Sequence, residues 1–364
     1  MTTQTAPTFT VEQRPDPATD EQVAELLANP AFGAKFTDHM ALIDWTRDGG
    51  WADPRVTAYG PIPLEPAAAV FHYGQEIFEG MKAYRHQDGS VWTFRPDANA
   101  DRFARSARRL ALPELPAQMF IESLRALVDL DQRWVPDPSL GEVSLYLRPF
   151  MIATEQALGV RPSNRVLYCV IASPAGAYFP GGLTPVNIWL SEDYVRAAPG
   201  GTGTAKCGGN YGASLAAQAE GIENGCDQVA FLDAIEKKWV EELGGMNLFF
   251  AYRDGTIVTP ELSGTILEGV TRSCLIELAR ERGHEVIERR YSIDEWRADA
   301  ASGDLVEVFA CGTAAVIVPV GSLKWRGGEV TMAGGDLASD LRGALLDIQY
   351  GRVEDTHGWM HRLV

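Results

Sequence analysis

Apolar and polar positions alternate along this chain in segments that read as strands and helices. SLYLRPFMIA (144–153) and RVLYCVIASP (165–174) are rich in apolar and β-branched residues and predict two long strands. Upstream, VWTFRP (91–96) predicts a strand, and Asp97 can cap a helix over DANADRFARSARRLAL (97–112). A second helix from about Phe120 to Trp134 stops at Pro136. Further on come a strand VNIWLSE (186–192), a Gly-rich loop, a helix from about Asn210 to Asn224 and a strand DQVAFLD (227–233). VEELGGMNLFFAYRDGTIVTP (240–260) predicts a hairpin turning at Asp254-Gly255. A helix over Gly269–Arg282, a strand pair in VEVFACGTAAVIVPV (306–320) and a last helix near Ala338–Gln349 complete the pattern. Helices mixed with antiparallel hairpins predict an α+β fold and argue against a dinucleotide-binding βαβ repeat.

Residues 1–30 are rich in Pro, Thr and Asp and read as a surface extension. The stretch SPAGAYFPGGLTP (173–185), with three Gly and three Pro between strand signals, reads as a connection between domains. The expected organisation is therefore a smaller N-terminal α/β domain (1–175), an interdomain loop (176–186) and a larger C-terminal domain (187–364).

Charge narrows the function. Lys and Arg number 32 and Asp and Glu 49, a formal net charge of −17 in 364 residues. Neither nucleic acid nor an anionic membrane is an expected partner, since both need a broad basic surface. The longest apolar stretch, Val306 to Val320, is interrupted by Gly312, Thr313 and Pro319 and falls short of a membrane span. The N-terminus lacks the basic start and apolar core of a secretory signal. Five cysteines (Cys169, Cys207, Cys226, Cys274, Cys311), widely spaced and without a CxxC, suit a reducing cytoplasm rather than a disulfide framework or zinc ribbon.

The most unusual segment is GGTGTAKCGGNYG (200–212), in which six glycines surround one lysine. It matches neither the P-loop nor the dinucleotide pattern. Composition alone leaves open a flexible surface loop. Against that, the loop joins an apolar strand to a helix with Leu215, Ala216, Ala219 and Ile222 on one face. Small neighbours allow close backbone approach by a ligand, and a partly desolvated lysine there is a candidate nucleophilic amine.

With EIFEGMKAYR (76–85), SLYLRPF (144–150), GAYFPGG (176–182), EELGGMNLFF (241–250) and FACGTAAV (309–316), the segment KCGGNYGAS resembles the branched-chain amino acid aminotransferases. These are class IV aminotransferases of pyridoxal-phosphate fold type IV. The resemblance runs from about residue 30 to the C-terminus, with six motifs in the family's order. It implies a two-domain α+β fold with pyridoxal 5'-phosphate at the domain interface, the larger C-terminal domain being the cofactor-binding one. It implies a homodimer acting on small amino-acid and 2-oxo-acid substrates, exchanging an amino group between leucine, isoleucine or valine and 2-oxoglutarate. Branched-chain amino acid biosynthesis or degradation would be the setting. A D-amino acid aminotransferase or an aminodeoxychorismate lyase is the nearest alternative on this fold, and a non-catalytic anion-binding module the alternative from another class.

By the same resemblance Lys206 bonds the cofactor covalently and then moves a proton at the substrate Cα. Glu242 would pair with the ring nitrogen, although Glu241 beside it faces the other way on a strand, and alone the two could be a solvated pair. Tyr211 would bond the ring hydroxyl oxygen, where a core tyrosine is the plain alternative. Arg102, one of five arginines between Arg95 and Arg109, would bind the phosphate together with Val270, Thr271 and the hydroxyl of Thr313. Gly269-Val270-Thr271 opens a predicted helix, whose free N–H groups suit a phosphate.

For the substrate, strand parity puts Tyr146 and Arg148 on one face and Leu145 and Leu147 on the other. An aromatic beside an arginine suits both an aliphatic side chain and a distal carboxylate. An exposed edge pair remains the plain reading. The resemblance adds Tyr73, Phe78, Val160 and Tyr178 to the pocket, leaves open that a partner subunit supplies some of them, and rests the α-carboxylate on the Thr313-Ala314 turn. Two features depart from the family. Ala315 and Val318 stand where some eukaryotic members carry a redox CxxC, and Gly245 stands where some relatives have threonine. The spacing of His357 and His361 suits a metal only on a helix; with no acidic third ligand evident, a surface tail and no metal are expected.

Overall fold

The computed structural model describes residues 8–176 and 184–364. Two compact units emerge: Met1–Tyr178 with Ala205–Gly208 and Asp347–Val364, and Phe179–Thr204 with Gly209–Leu346. Residues 205–208 and the C-terminal tail thus join the first unit, whereas the sequence reading grouped them with the second. The tail crosses over because Met360–Arg362 pairs antiparallel with Val91–Phe94 and extends the first unit's sheet. His361 lies on that strand rather than on a helix.

In the first unit Ser144–Ala153 is a central strand between Arg165–Ala175 and Met81–Arg85, with Glu76–Phe78 also paired to it. His39–Thr46 and Gly50–Ala58 continue the sheet beyond Arg165–Ala175. Helices Pro96–Arg109 and Ala117–Leu130 cover one face, burying Phe103, Phe120, Leu124 and Leu127 against Leu145, Leu147 and Tyr168. Asp97 is not the helix cap: Arg95 holds that place in a left-handed conformation (φ 46°) and Pro96 is the first helical residue. Proline's fixed φ suits that position, so it shifts the start by one residue. Residues 20–28, expected to drape over the surface, form a helix Asp20–Ala28 with a Thr19–Gln22 capping box and a buried Val23.

The second unit carries a mixed sheet in the order Val240–Leu243, Gln228–Leu232, Val186–Ser191, Val316–Trp325, Leu305–Gly312, Asn247–Tyr252, Ile257–Thr259, Val286–Glu288. The expected hairpin closes at Asp254-Gly255, with Phe250 opposite Val258. Helix Gly208–Glu223 sits the opposite way round from the sequence reading. Leu215 and Ile222 are 66% and 64% exposed, and Ala216 and Ala219 also face out. The small residues Ser214, Ala217 and Gly221 are the buried ones. Packing distance explains the inversion: a Cβ on Gly221 would lie 2.9 Å from Val229 Cγ2, so the helix runs too close to its sheet for a leucine face.

Candidate active site

Strand alternation at 77, 79, 81 and 83 points Ile77, Met81 and Ala83 into the first unit's core, and Glu79 follows the same parity. This fully buried carboxylate accepts from Arg102 Nε and Nη2 at 2.8 and 2.7 Å and from Asn99 Nδ2 at 2.8 Å. Burial pushes the Glu79 carboxyl up. The charge and hydrogen bonds of Arg102, the charge of Lys206 and the Asn99 amide outweigh that and hold it below its ordinary range. Lys206 is gripped through its main chain: its N–H donates to Ser106 Oγ at 2.9 Å, and its carbonyl accepts from Phe78 N at 3.0 Å. Its amine lies 4.9 Å from the Phe78 ring centroid. Glu76 accepts from the N–H of Gly208, and burial raises its carboxyl despite that bond and the charge of Arg148.

Tyr146 and Arg148 share one face, with Leu145 and Leu147 buried on the other. Their strand is central, so the edge-pair reading falls. Arg148 Nη2 donates to Tyr146 Oη at 3.0 Å, and its guanidinium carbon stacks 4.9 Å from the Phe78 centroid and 5.3 Å from that of Tyr146. Phe32, which sequence reasoning passed over, meets Tyr146 edge-on at 4.8 Å. A Cβ on Gly80 would overlap the Tyr146 hydroxyl, so a larger residue there would displace that ring. Tyr73 is partly exposed, its hydroxyl donating to the Leu158 carbonyl, and Val160 is 85% exposed. Tyr178 lies outside the described residues.

In the second unit both Glu241 and Glu242 are buried, contrary to the expectation of one inward and one outward glutamate. The segment at 265–267 serves both: Thr265 Oγ1 donates to Glu241, and Leu267 N to Glu242 Oε1 at 2.8 Å. Arg196 Nη1 also pairs with that oxygen at 2.8 Å. Arg196 is buried and drew no notice in the sequence; its flanks, Val195 and Ala197, were the available signal. Helix Val270–Glu281 starts after Gly269 without a side-chain cap, and the Thr271 side chain is buried at that end. Thr313 and Ala314 lie half-buried in the turn between two strands. Val316, at its exit, holds φ 64°, a left-handed backbone that costs a β-branched residue energy. A Cβ on Gly245 would sit 3.7 Å from Tyr211 Cε1, ordinary contact that leaves room for a side chain there.

A model of the amino-transferase class IV family matches residues 76–323. This chain is a class IV aminotransferase. The aminotransferase is 59% identical to a probable branched-chain-amino-acid aminotransferase of Streptomyces coelicolor, over 99% of each chain. It is 47% identical to branched-chain-amino-acid transaminase 1 of Bacillus subtilis, over 96% of this chain and 95% of that one. Among solved structures, the T.th. branched-chain amino acid aminotransferase complexed with N-(5'-phosphopyridoxyl)-L-glutamate superposes with TM-score 0.71 at 29% identity, covering 89% of this chain and 99% of that one. The Escherichia coli branched-chain amino acid aminotransferase gives 0.73 at 27%, covering 89% and 100%. The α+β architecture of fold type IV is thereby established.

Each unit of the aminotransferase by itself carries groups that suit part of a phosphorylated pyridine. The first unit offers a lysine amine and a buried arginine. The second offers a buried carboxylate, an uncapped helix N-terminus, and Arg196 Nε and Nη2, buried with no hydrogen-bond partner among the described residues. Orphaned buried donors of this kind carry a desolvation cost that a bound anion or ring substituent relieves.

Proposed function

We propose that this aminotransferase exchanges the amino group between L-leucine, L-isoleucine or L-valine and 2-oxoglutarate, using pyridoxal 5'-phosphate. The observation that carries the reading is 59% identity across essentially the whole length of a relative bearing that activity's name. When bound, the cofactor supplies an electron sink for the electrons released at the substrate Cα.

Within that reading Lys206 carries the cofactor, and its Nζ takes the proton from the substrate Cα and returns it in the reverse half-reaction. Glu242, charged and pinned by Leu267 N and Arg196, holds a proton on the ring nitrogen. Tyr211 steadies the ring hydroxyl oxygen. Arg102, the N–H groups at Val270 and Thr271, and the Thr313 hydroxyl hold the phosphate. Phe78 and Tyr146 offer aliphatic side chains an apolar wall, and Arg148 grips the distal carboxylate of glutamate. The Thr313-Ala314 turn receives the α-carboxylate, and Tyr73, Val160, Tyr178 and Gly245 complete the pocket.

The active form in this reading is a homodimer in the cytoplasm. The exposed apolar side chains of Phe71, Leu158 and Val160 favour a surface that a second copy covers. The five cysteines are free and buried, as a reducing compartment allows. No helix among the described residues is long and apolar enough to cross a membrane. The test is product formation. The purified chain should convert L-leucine and 2-oxoglutarate to the branched 2-oxo acid and glutamate, and Lys206→Ala should nearly abolish it. Preference for a D-amino acid, or full turnover in the variant, would overturn the assignment.

A further inference from the structure

Glu79 has no part in the chemistry above, yet it is the most deeply committed charge in the first unit. Besides Arg102 and Asn99, the N–H of Gly80 reaches its Oε2 at 3.4 Å. Asn99, Arg102 and Ser106 follow each other at spacings of three and four on helix Pro96–Arg109, and all three are buried. They therefore form one polar stripe facing the strand end that carries Phe78 and Glu79. The main chain of Lys206 is tied to the same two places, to Ser106 on the helix and to Phe78 on the strand end. The lysine and the guanidinium of Arg102 are thus registered against one another through Glu79 and its immediate neighbours.

We propose that Glu79 is a positioning residue that fixes the Arg102 guanidinium for the cofactor phosphate while Lys206 holds the opposite end. This inference rests on the reading of Arg102 as a phosphate ligand. Two bonds to the arginine fork, at Nε and Nη2, remove side-chain freedom before the phosphate arrives, so less is lost on binding. A carboxylate near a phosphate also repels it. Here three side-chain donor bonds absorb its charge, so orientation outweighs repulsion. Glu79→Gln isolates that choice: the amide keeps the shape but turns an NH2 group toward donors of Arg102 or Asn99, and the fork loses its second acceptor.

The experiment uses the full chain stripped of cofactor and reloaded with pyridoxal 5'-phosphate or with pyridoxal, which lacks the phosphate. Visible absorbance gives both dissociation constants, and thermal melting checks the fold. Glu79→Gln should weaken pyridoxal phosphate about tenfold or more and pyridoxal less than about threefold. Glu79→Asp, which keeps the charge but withdraws it by one methylene, should show the same selectivity and serves if the Gln variant does not fold. In an Arg102→Met background Glu79→Gln should add nothing. If Arg102→Met alone leaves pyridoxal phosphate binding intact, the phosphate reading of Arg102 has failed. If Arg102→Met weakens it but Glu79→Gln tightens it, leaves it unchanged or weakens both ligands equally, the positioning role is overturned.

Discussion

Arg148→Met tests how one pocket serves two dissimilar substrates. Leucine brings an apolar side chain, whose burial favours binding by about 1.5–3 kcal/mol. Glutamate brings a carboxylate that cannot enter a dry pocket unpartnered. Both must reach the same reacting centre, so the pocket needs an apolar wall and one charge held in reserve. Arg148 fits that description: its flat faces lie against Phe78 and Tyr146, one edge donates to Tyr146 Oη at 3.0 Å, and its buried Nε has no hydrogen-bond partner among the described residues. A carboxylate arriving there gains a charge-assisted hydrogen bond and satisfies an orphaned donor. Methionine keeps the length and apolar stem but loses that bond, about 1.5–3 kcal/mol. At 1.36 kcal/mol per factor of ten, this is roughly ten- to a hundredfold in the half-reaction with glutamate or 2-oxoglutarate. The leucine half-reaction should change far less. Single-turnover absorbance measured separately for each half-reaction decides it. Equal losses on both sides would rule out a grip on the distal carboxylate and place Arg148 in support of the fold or of the α-carboxylate.

Glu242→Gln should cut turnover far more than cofactor occupancy, while Glu241→Gln, whose carboxylate bonds Thr265, should be mild; comparing kcat with bound cofactor checks the register. Arg196→Met removes the counter-charge from the buried Glu242, so a loss of about 3–5 kcal/mol in unfolding free energy is expected from urea titration. Acid stability should depend on Asp38. Burial raises its carboxyl, but the N–H of Ala18, the Trp134 indole and Arg133 lower it further, to below its ordinary value of 3.8. Its contribution is present above pH 3.8 and lost as pH falls through the lowered native value. The urea midpoint of Asp38→Asn should therefore lie below wild type at neutral pH and converge with it in acid.

Local pattern carried much of this architecture. The strand Ser144–Ala153 has the span its apolar run predicts, and period-two parity alone placed Tyr146 and Arg148 on one face. The Asp254-Gly255 turn was equally legible, since its chemistry is local. What escaped depended on distant partners. Nothing in His361 or Met360 announces pairing with Thr93 and Phe94, far earlier in the chain. Helix Gly208–Glu223 was read by its apolar face, but close approach to Trp189 and Val229 selects its small face. The N-terminal helix draws its anchorage from Arg133, which bonds Asp20 and Asp38 across long stretches of sequence. Arg196 and Glu79 show the same limit: a buried charge is recognisable only with its counter-charge, which the sequence does not pair. For Glu79 the parity with Ile77, Met81 and Ala83 did offer a signal, a carboxylate on the inward face of a strand.

In the proposed function one site takes an amino group from a branched-chain amino acid and gives it to 2-oxoglutarate. The most direct measurement is the visible absorbance of the purified full chain during sequential addition of the two substrates. Addition of L-leucine should bleach the yellow band of the bound cofactor, and 2-oxoglutarate should restore it, with Lys206→Ala lacking the response. A protein without that band after loading with pyridoxal 5'-phosphate, or a band indifferent to leucine, would contradict this function.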